Sequence, residues 1–182
     1  MTPRTPRLLA VALAALACAA PRAAAQAPTV VVLVRHAEKA ASRGDDPALS
    51  RAGEARARAL AEALADARVE AIVTTQYRRT RATAAPLAAA RRITPEVVDV
   101  REGGQVDRIA QSVRRHAGQT VLVVAHAESV ARIIAALGGP HLRDLCDSEY
   151  AHLFVLVLRP GQEPTLVRSR YGPPDRSSRD CR

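Results

Sequence analysis

One pattern constrains the fold of this chain more than any other, and it occurs twice. Residues 29–35, "TVVVLVR", and residues 120–125, "TVLVVA", are continuous runs dominated by β-branched and aliphatic side chains, and each delivers a histidine, His36 or His126. Unbroken apolar runs of this length suit strands covered on both faces, as in a parallel sheet flanked by helices. Helix-like segments follow both. Ser50 reads as an N-cap for "RAGEARARALAEALADA", with Leu60 and Leu64 one turn apart, and "SVARIIAALGG" follows His126. Between them lie a strand "VEAIVTT", a helix over 76–92 that Pro86 should kink, a strand "PEVVDV" and a helix over 105–116 closed by Gly118. "AHLFVLVL" and "PTLVRSRY", joined through a Pro-Gly turn, suggest a hairpin at one edge. This alternation predicts an α/β fold, a three-layer α/β/α sandwich around a mostly parallel sheet.

The first 27 residues stand apart from that pattern. Arg4 and Arg7 precede an apolar stretch, Leu8 to Ala20, and "AAAQA" supplies small residues for cleavage. This is the layout of a secretory signal peptide, and the apolar stretch is short for a membrane span. Cleavage after Ala25 or Ala27 leaves a domain over 28–171 and an irregular tail over 172–182, exported to the periplasm or beyond. Cys18 follows "ALA", a loose match to a lipoprotein site; with Ala where Leu is usual, a lipid anchor is the less favoured alternative. Removing the leader leaves 24 basic against 18 acidic residues. Aromatic content is only 2%, and no five basic residues run together, so nucleic acid is not an expected partner. The basic excess fits an anionic substrate or solvated surface arginines. Cys146 and Cys181, the two remaining cysteines, are expected to form a disulfide that pins the tail. The alternative is two separate thiols.

In open α/β sheets, ligands gather at the carboxyl ends of the strands, so His36 and His126 are expected to meet there with Arg35 beside them. A third strand ends at Thr74 and Thr75 and runs into "QYRRTRATA". Taken in order, "LVRHAEK", "TTQYRRTRATA" and "VLVVAHAES" resemble the histidine phosphatase superfamily, whose fold is phosphoglycerate-mutase-like. That family opens with Arg-His-Gly at a strand end. It continues with Ser/Thr-x-x-x-Arg-(Ala)-x-x-Thr-Ala and places a second histidine at the end of a later strand. Thr75, Arg79, Thr83 and Ala84 fall on the middle motif, and the resemblance spans about Thr29 to Leu158.

The resemblance implies that His36 is the nucleophile and becomes a phosphohistidine. Arg35 and Arg79 would bind phosphoryl oxygens, His126 would donate to the transferring group, and no metal or cofactor would be required. The chemistry of these residue types agrees. A nucleophilic imidazole must be neutral, and nearby cations disfavour its charged form. Guanidinium forks match phosphoryl oxygens, and phosphoryl transfer asks chiefly for positioning and charge neutralisation. Backbone amides opening the helix after His126 would add donors.

The chain also departs from the family pattern. Ala37 replaces the glycine. Lys39 stands where mutases carry a small hydroxyl or amide, which makes it a candidate substrate contact. Glu128, in "AES" where mutase-like members often have Gly-Asn, is a second candidate contact. Glu128 and Glu102 are both candidate proton donors, though each also reads as a solvated carboxylate, so the leaving-group acid is unassigned.

The expected activity is metal-independent hydrolysis of phosphomonoesters, on a phosphorylated small molecule or a phosphoprotein. Roughly 155 mature residues, one ordinary domain, leave little room for the insertions that shape a mutase or phytase pocket. The chain also resembles small bacterial phosphohistidine phosphatases, but an export signal argues against a cytoplasmic signalling protein as substrate. Alternatives are a mutase-type phosphoryl transferase, a non-catalytic phosphate- or phosphoprotein-binding module on the same fold, and a structural envelope protein.

Overall fold

The computed structural model of the protein describes residues 27–101 and 103–175. The leader, Glu102 and residues 176–182 lie outside that range, and with them Cys18 and Cys181.

Six strands form one sheet. They are β1 (Thr29–Arg35), β2 (Ala71–Thr75), β3 (Glu96–Val98), β4 (Thr120–Ala125), β5 (His152–Leu158) and β6 (Thr165–Arg170), in the spatial order β3-β2-β4-β1-β5-β6. The first four in that order run parallel; β5 is antiparallel to β1, and β6 is antiparallel to β5. The hairpin expected at one edge is this β5–β6 pair.

Alternation along the strands builds two apolar layers. Val31, Leu33, Val73, Val121 and Val123 face one side, with α3 (Gln105–Arg115) and α4 (Ala127–Ala136) packed over them. Val32, Val34, Ile72, Leu122 and Val124 face the other, under α1 (Arg51–Ala63) and α2 (Arg78–Arg91). Both neighbours of each central residue are therefore buried, which is why β1 and β4 read as unbroken apolar runs. Among the described residues, no helix is long and apolar enough to cross a membrane.

Several boundaries differ from the sequence expectation by about a turn. Helix α1 stops at Ala63 with Leu64 as its C-cap, although both Leu60 and Leu64 are buried as expected. Ser50 caps it, accepting from the Gly53 amide at 3.1 Å. Strand β3 keeps only three residues of "PEVVDV", because it is an edge strand bonded on one side. Helix α2 runs continuously through Pro86 and ends at Arg92, which adopts the left-handed conformation (φ 56°).

The tail is tied to the body by side chains. The buried Arg56 donates to the carbonyls of Tyr171 (3.2 Å) and Pro173 (2.9 Å), and Asp175 accepts from the amides of Tyr150 and Ala151 at 2.7 and 2.8 Å. Arg56 also grips Glu38, two residues beyond His36, through contacts of 2.8–3.0 Å.

Helix α1 approaches the His36 segment closely enough to demand glycine. A Cβ on the buried Gly53 would stand 2.2 Å from the Glu38 carbonyl oxygen, an atom that also accepts from the Ser50 amide. Gly53→Ala is therefore expected to destabilise the fold by about 1–3 kcal/mol through overpacking. Urea unfolding measures the loss, and an unchanged midpoint would show that α1 does not bear on this segment.

Candidate active site

Register brings the predicted residues together. Strand β4 lies between β1 and β2, with Arg35 opposite Ala125 and Thr74 opposite Val124. The chain leaves β1 toward one face and β4 toward the other, because α1 covers one layer and α4 the second. His36 and His126 stand at this divergence, where the two following helices leave a crevice at the carboxyl ends of the strands. The His36 amide donates to the Ala125 carbonyl at 2.9 Å, and the imidazole centroids are 5.4 Å apart. Both residues are 4% exposed.

His36 has a defined tautomer. Its Nδ1 lies 2.8 Å from the Ala37 carbonyl oxygen, which can only accept, so Nδ1 carries the proton and Nε2 keeps its lone pair. Ala37 is held in turn by Thr83, whose hydroxyl accepts from the Ala37 amide (2.9 Å) and donates to the Arg79 carbonyl (2.7 Å). Across the crevice, His126 Nε2 lies 3.1 Å from the Thr75 hydroxyl. Its backbone amide donates to the Ser129 side chain at 3.0 Å, which fixes the start of α4.

Each arginine of the site lies against a tyrosine. The Arg35 guanidinium is 4.0 Å above the Tyr150 ring, and that of Arg79 is 4.2 Å above the Tyr77 ring. Arg35 is almost wholly buried. Its Nη1 donates to the carbonyls of Cys146 (2.7 Å) and Asp147 (3.0 Å), and its Nη2 reaches the Tyr150 hydroxyl at 3.3 Å. Part of the fork expected to face a phosphoryl group is thus committed to the loop before β5. Arg79 Nη1 contacts the Asp45 carbonyl at 3.3 Å and stands 3.8 Å from the Asp46 carboxylate. The Nε atoms of both arginines are buried and have no hydrogen-bond partner among the described residues.

Burial, together with Arg35, His126 and Arg79, pushes His36 down to about 3 against the upward pull of the Ala37 bond. Burial followed by Arg79 and Arg35 pushes His126 down to about 4. The sequence pointed to the cations as the cause; in the structure, loss of water is the larger one.

The other candidates stay at the surface. Lys39 is exposed, with its backbone bridged to Leu49, and Glu128 is exposed in the first turn of α4. Glu102 and Cys181 lie outside the described residues, and Cys146 belongs to the loop that holds Arg35. Among the described residues, no group of three or more His, Cys, Asp or Glu side chains could hold a metal ion.

Tyr77, Tyr150 and Thr80 were not singled out from sequence. The scarcity of aromatics was the available signal: the chain has three tyrosines, and each lies within 6 Å of an arginine guanidinium. Tyr150 also lines a cavity of about 480 Å³ with Glu38, Arg56 and Asp175.

Residues 31–102 match the model of the histidine phosphatase superfamily, branch 1. A structure of the protein histidine phosphatase SixA complexed with tungstate is 18% identical, with a TM-score of 0.63, over 78% of this chain and 96% of that one. A mycobacterial glucosyl-3-phosphoglycerate phosphatase is 18% identical (TM-score 0.58) over 71% of this chain and 90% of its own. Bacillus stearothermophilus YhfR is 21% identical (TM-score 0.58) over 74% and 94%. At these identities, the solved structures establish a shared fold. No curated protein matches the sequence.

The depressed imidazoles have a measurable consequence. Both histidines bind a proton more readily in the unfolded chain, near 6.5, than in the folded one. Their contribution leaves stability independent of pH above about 6.5 and lowers it progressively as pH falls toward 4. The urea midpoint is expected to drop between pH 7 and pH 4.5, and to drop less in His36→Gln. Equal pH dependence in the two proteins would refute burial of a neutral His36.

Proposed function

We propose that this chain, whose residues 31–102 match the histidine phosphatase superfamily model, hydrolyses phosphomonoesters through a phosphohistidine on His36. The observation that carries this reading is the free Nε2 of a buried, neutral His36, set among a second imidazole and two arginines.

In the first step, the Nε2 lone pair attacks phosphorus, the P–N bond forms, and the ester P–O bond breaks. The leaving oxygen takes a proton from solvent to become the alcohol, and the attacking water of the second step returns one to solvent. In the second step, water attacks the phosphohistidine, the P–N bond breaks, and its electron pair returns to Nε2 as inorganic phosphate departs. Arg35 and Arg79 neutralise charge on the phosphoryl oxygens through both steps, with His126 beside them across the crevice. At neutral pH, neither imidazole of the free protein holds a second proton, so the leaving-group proton is not stored on the histidine pair.

The reading includes an exported domain over 28–171, released from a signal peptide and joined through Cys146 to Cys181. The leader-like segment and the cysteine count support this part. Export points to a phosphorylated small molecule or an extracytoplasmic phosphoprotein as substrate. By name, the similar structures include a protein histidine phosphatase and a glucosyl-3-phosphoglycerate phosphatase, a protein-directed and a small-molecule enzyme on this fold.

The test is release of 4-nitrophenol from its phosphate ester by the mature chain in the presence of a chelator. His36→Gln is expected to lower the rate by on the order of 10³-fold or more. Arg79→Ala is expected to cost roughly 10²–10³-fold, the usual loss of an oxyanion donor. No turnover by the wild-type chain, with phosphate binding intact, would favour a binding module instead. Wild-type turnover by His36→Gln would exclude His36 as nucleophile.

A further inference from the structure

Helix α2 carries a buried hydroxyl beside Arg79 that the phosphatase reading leaves without a role. Thr80 follows Arg79 and is wholly buried, as is Thr75. The Thr80 Oγ1 lies 2.8 Å from the Tyr77 carbonyl oxygen, 3.1 Å from that of Thr75 and 3.0 Å from the Thr75 hydroxyl, which stands 3.1 Å from His126 Nε2. Four residues thus form one continuous line of polar contacts that ends on the second histidine.

The direction of this line follows from counting protons. Carbonyl oxygens only accept, and each threonine has one proton to give. With the Thr80 proton on Tyr77 O, the nearest acceptor, Thr80 Oγ1 can only accept from Thr75. The Thr75 hydroxyl proton is then spent, so Thr75 Oγ1 can only accept from His126, and Nε2 must carry hydrogen. That polarity makes three hydrogen bonds. The reverse, Thr80 to Thr75 to His126, makes two and leaves the Tyr77 carbonyl without the threonine proton. In a buried site, the extra bond decides the direction.

We propose that Thr80 is a positioning residue: acting through Thr75, it fixes neutral His126 as the tautomer protonated at Nε2. Tyr77 assists by packing edge-on against the imidazole, with centroids 5.3 Å apart and planes at 90°. Without the Thr80 hydroxyl, Thr75 is free to turn and donate to Nε2, which drives the ring proton to Nδ1. The kinetic consequence rests on the phosphatase reading; the tautomer does not.

The experiment is nitrogen-15 spectroscopy of the His126 ring at neutral pH, in the mature wild-type chain and in Thr80→Val and Thr80→Ser. The wild-type ring is expected to show an Nε2-protonated pattern. Thr80→Val, nearly isosteric, is expected to shift it toward Nδ1–H and to lower kcat on 4-nitrophenyl phosphate by on the order of tenfold, with KM little changed. Thr80→Ser is expected to restore both. Thr75→Val serves as a second break in the line should Thr80→Val fail to fold. An Nδ1-protonated wild-type ring, or a valine variant with an unchanged tautomer, would overturn the proposal. A chain that holds Nε2–H and loses it in Thr80→Val, yet hydrolyses no ester, would instead refute the phosphatase reading.

Discussion

The site depends on one hydrogen bond, from His36 Nδ1 to the carbonyl oxygen of the next residue. It decides which ring nitrogen is nucleophilic and limits rotation of the imidazole. It can do this only while the ring is neutral and Ala37 stays in place. Burial secures the first condition, with the arginines adding to it. The second is secured from α2, where Thr83 takes the Ala37 amide, and from α1, where Gly53 and Ser50 close on the Glu38 carbonyl. Two helices on the same side of the sheet therefore hold three consecutive residues after β1.

Helix α2 serves both histidines. Arg79, Thr80 and Thr83 fall within about one turn: Thr83 holds the Ala37 amide next to His36, and Thr80 contacts Thr75, the partner of His126. The pairing of each arginine with a tyrosine has a comparable purpose. A guanidinium laid on an aromatic face gains attraction that needs no carboxylate, and the acids near these two, Asp46 and Asp147, stand at 3.8 and 3.5 Å, longer than a close ion pair. Arg35 is also held by backbone carbonyls, and the carboxylate it reaches, Asp147, is mostly exposed at 3.5 Å.

Much of this was legible in the sequence. The two buried-type strands ending in histidine required a parallel arrangement, and adjacency of β1 and β4 set His36 beside His126. The spacing of Thr75, Arg79 and Thr83 located α2. What could not be read depends on contacts between distant segments. The loop holding Arg35 lies more than 100 residues downstream and acts through its carbonyls, which carry no sequence signature. Thr80 looked like an ordinary helix residue because its partners are a hydroxyl and carbonyls brought near by the fold. Glu128 follows His126 closely, but the helix starting there turns its side chain to solvent. The disulfide expected to pin the tail involves Cys181, outside the described residues; within them, Arg56 and Asp175 hold the segment after β6 through carbonyls and amides.

The most direct test of the central claim is the linkage of the phosphoryl group in the trapped enzyme. Rapid mixing with a phosphomonoester, followed by alkaline quench and phosphorus NMR with peptide mapping, reads both residue and atom. The expected adduct is on His36 through Nε2, the nitrogen left free by the Ala37 bond. A phosphoryl group bonded to Nδ1 of His36, or found on His126 instead, would contradict the account.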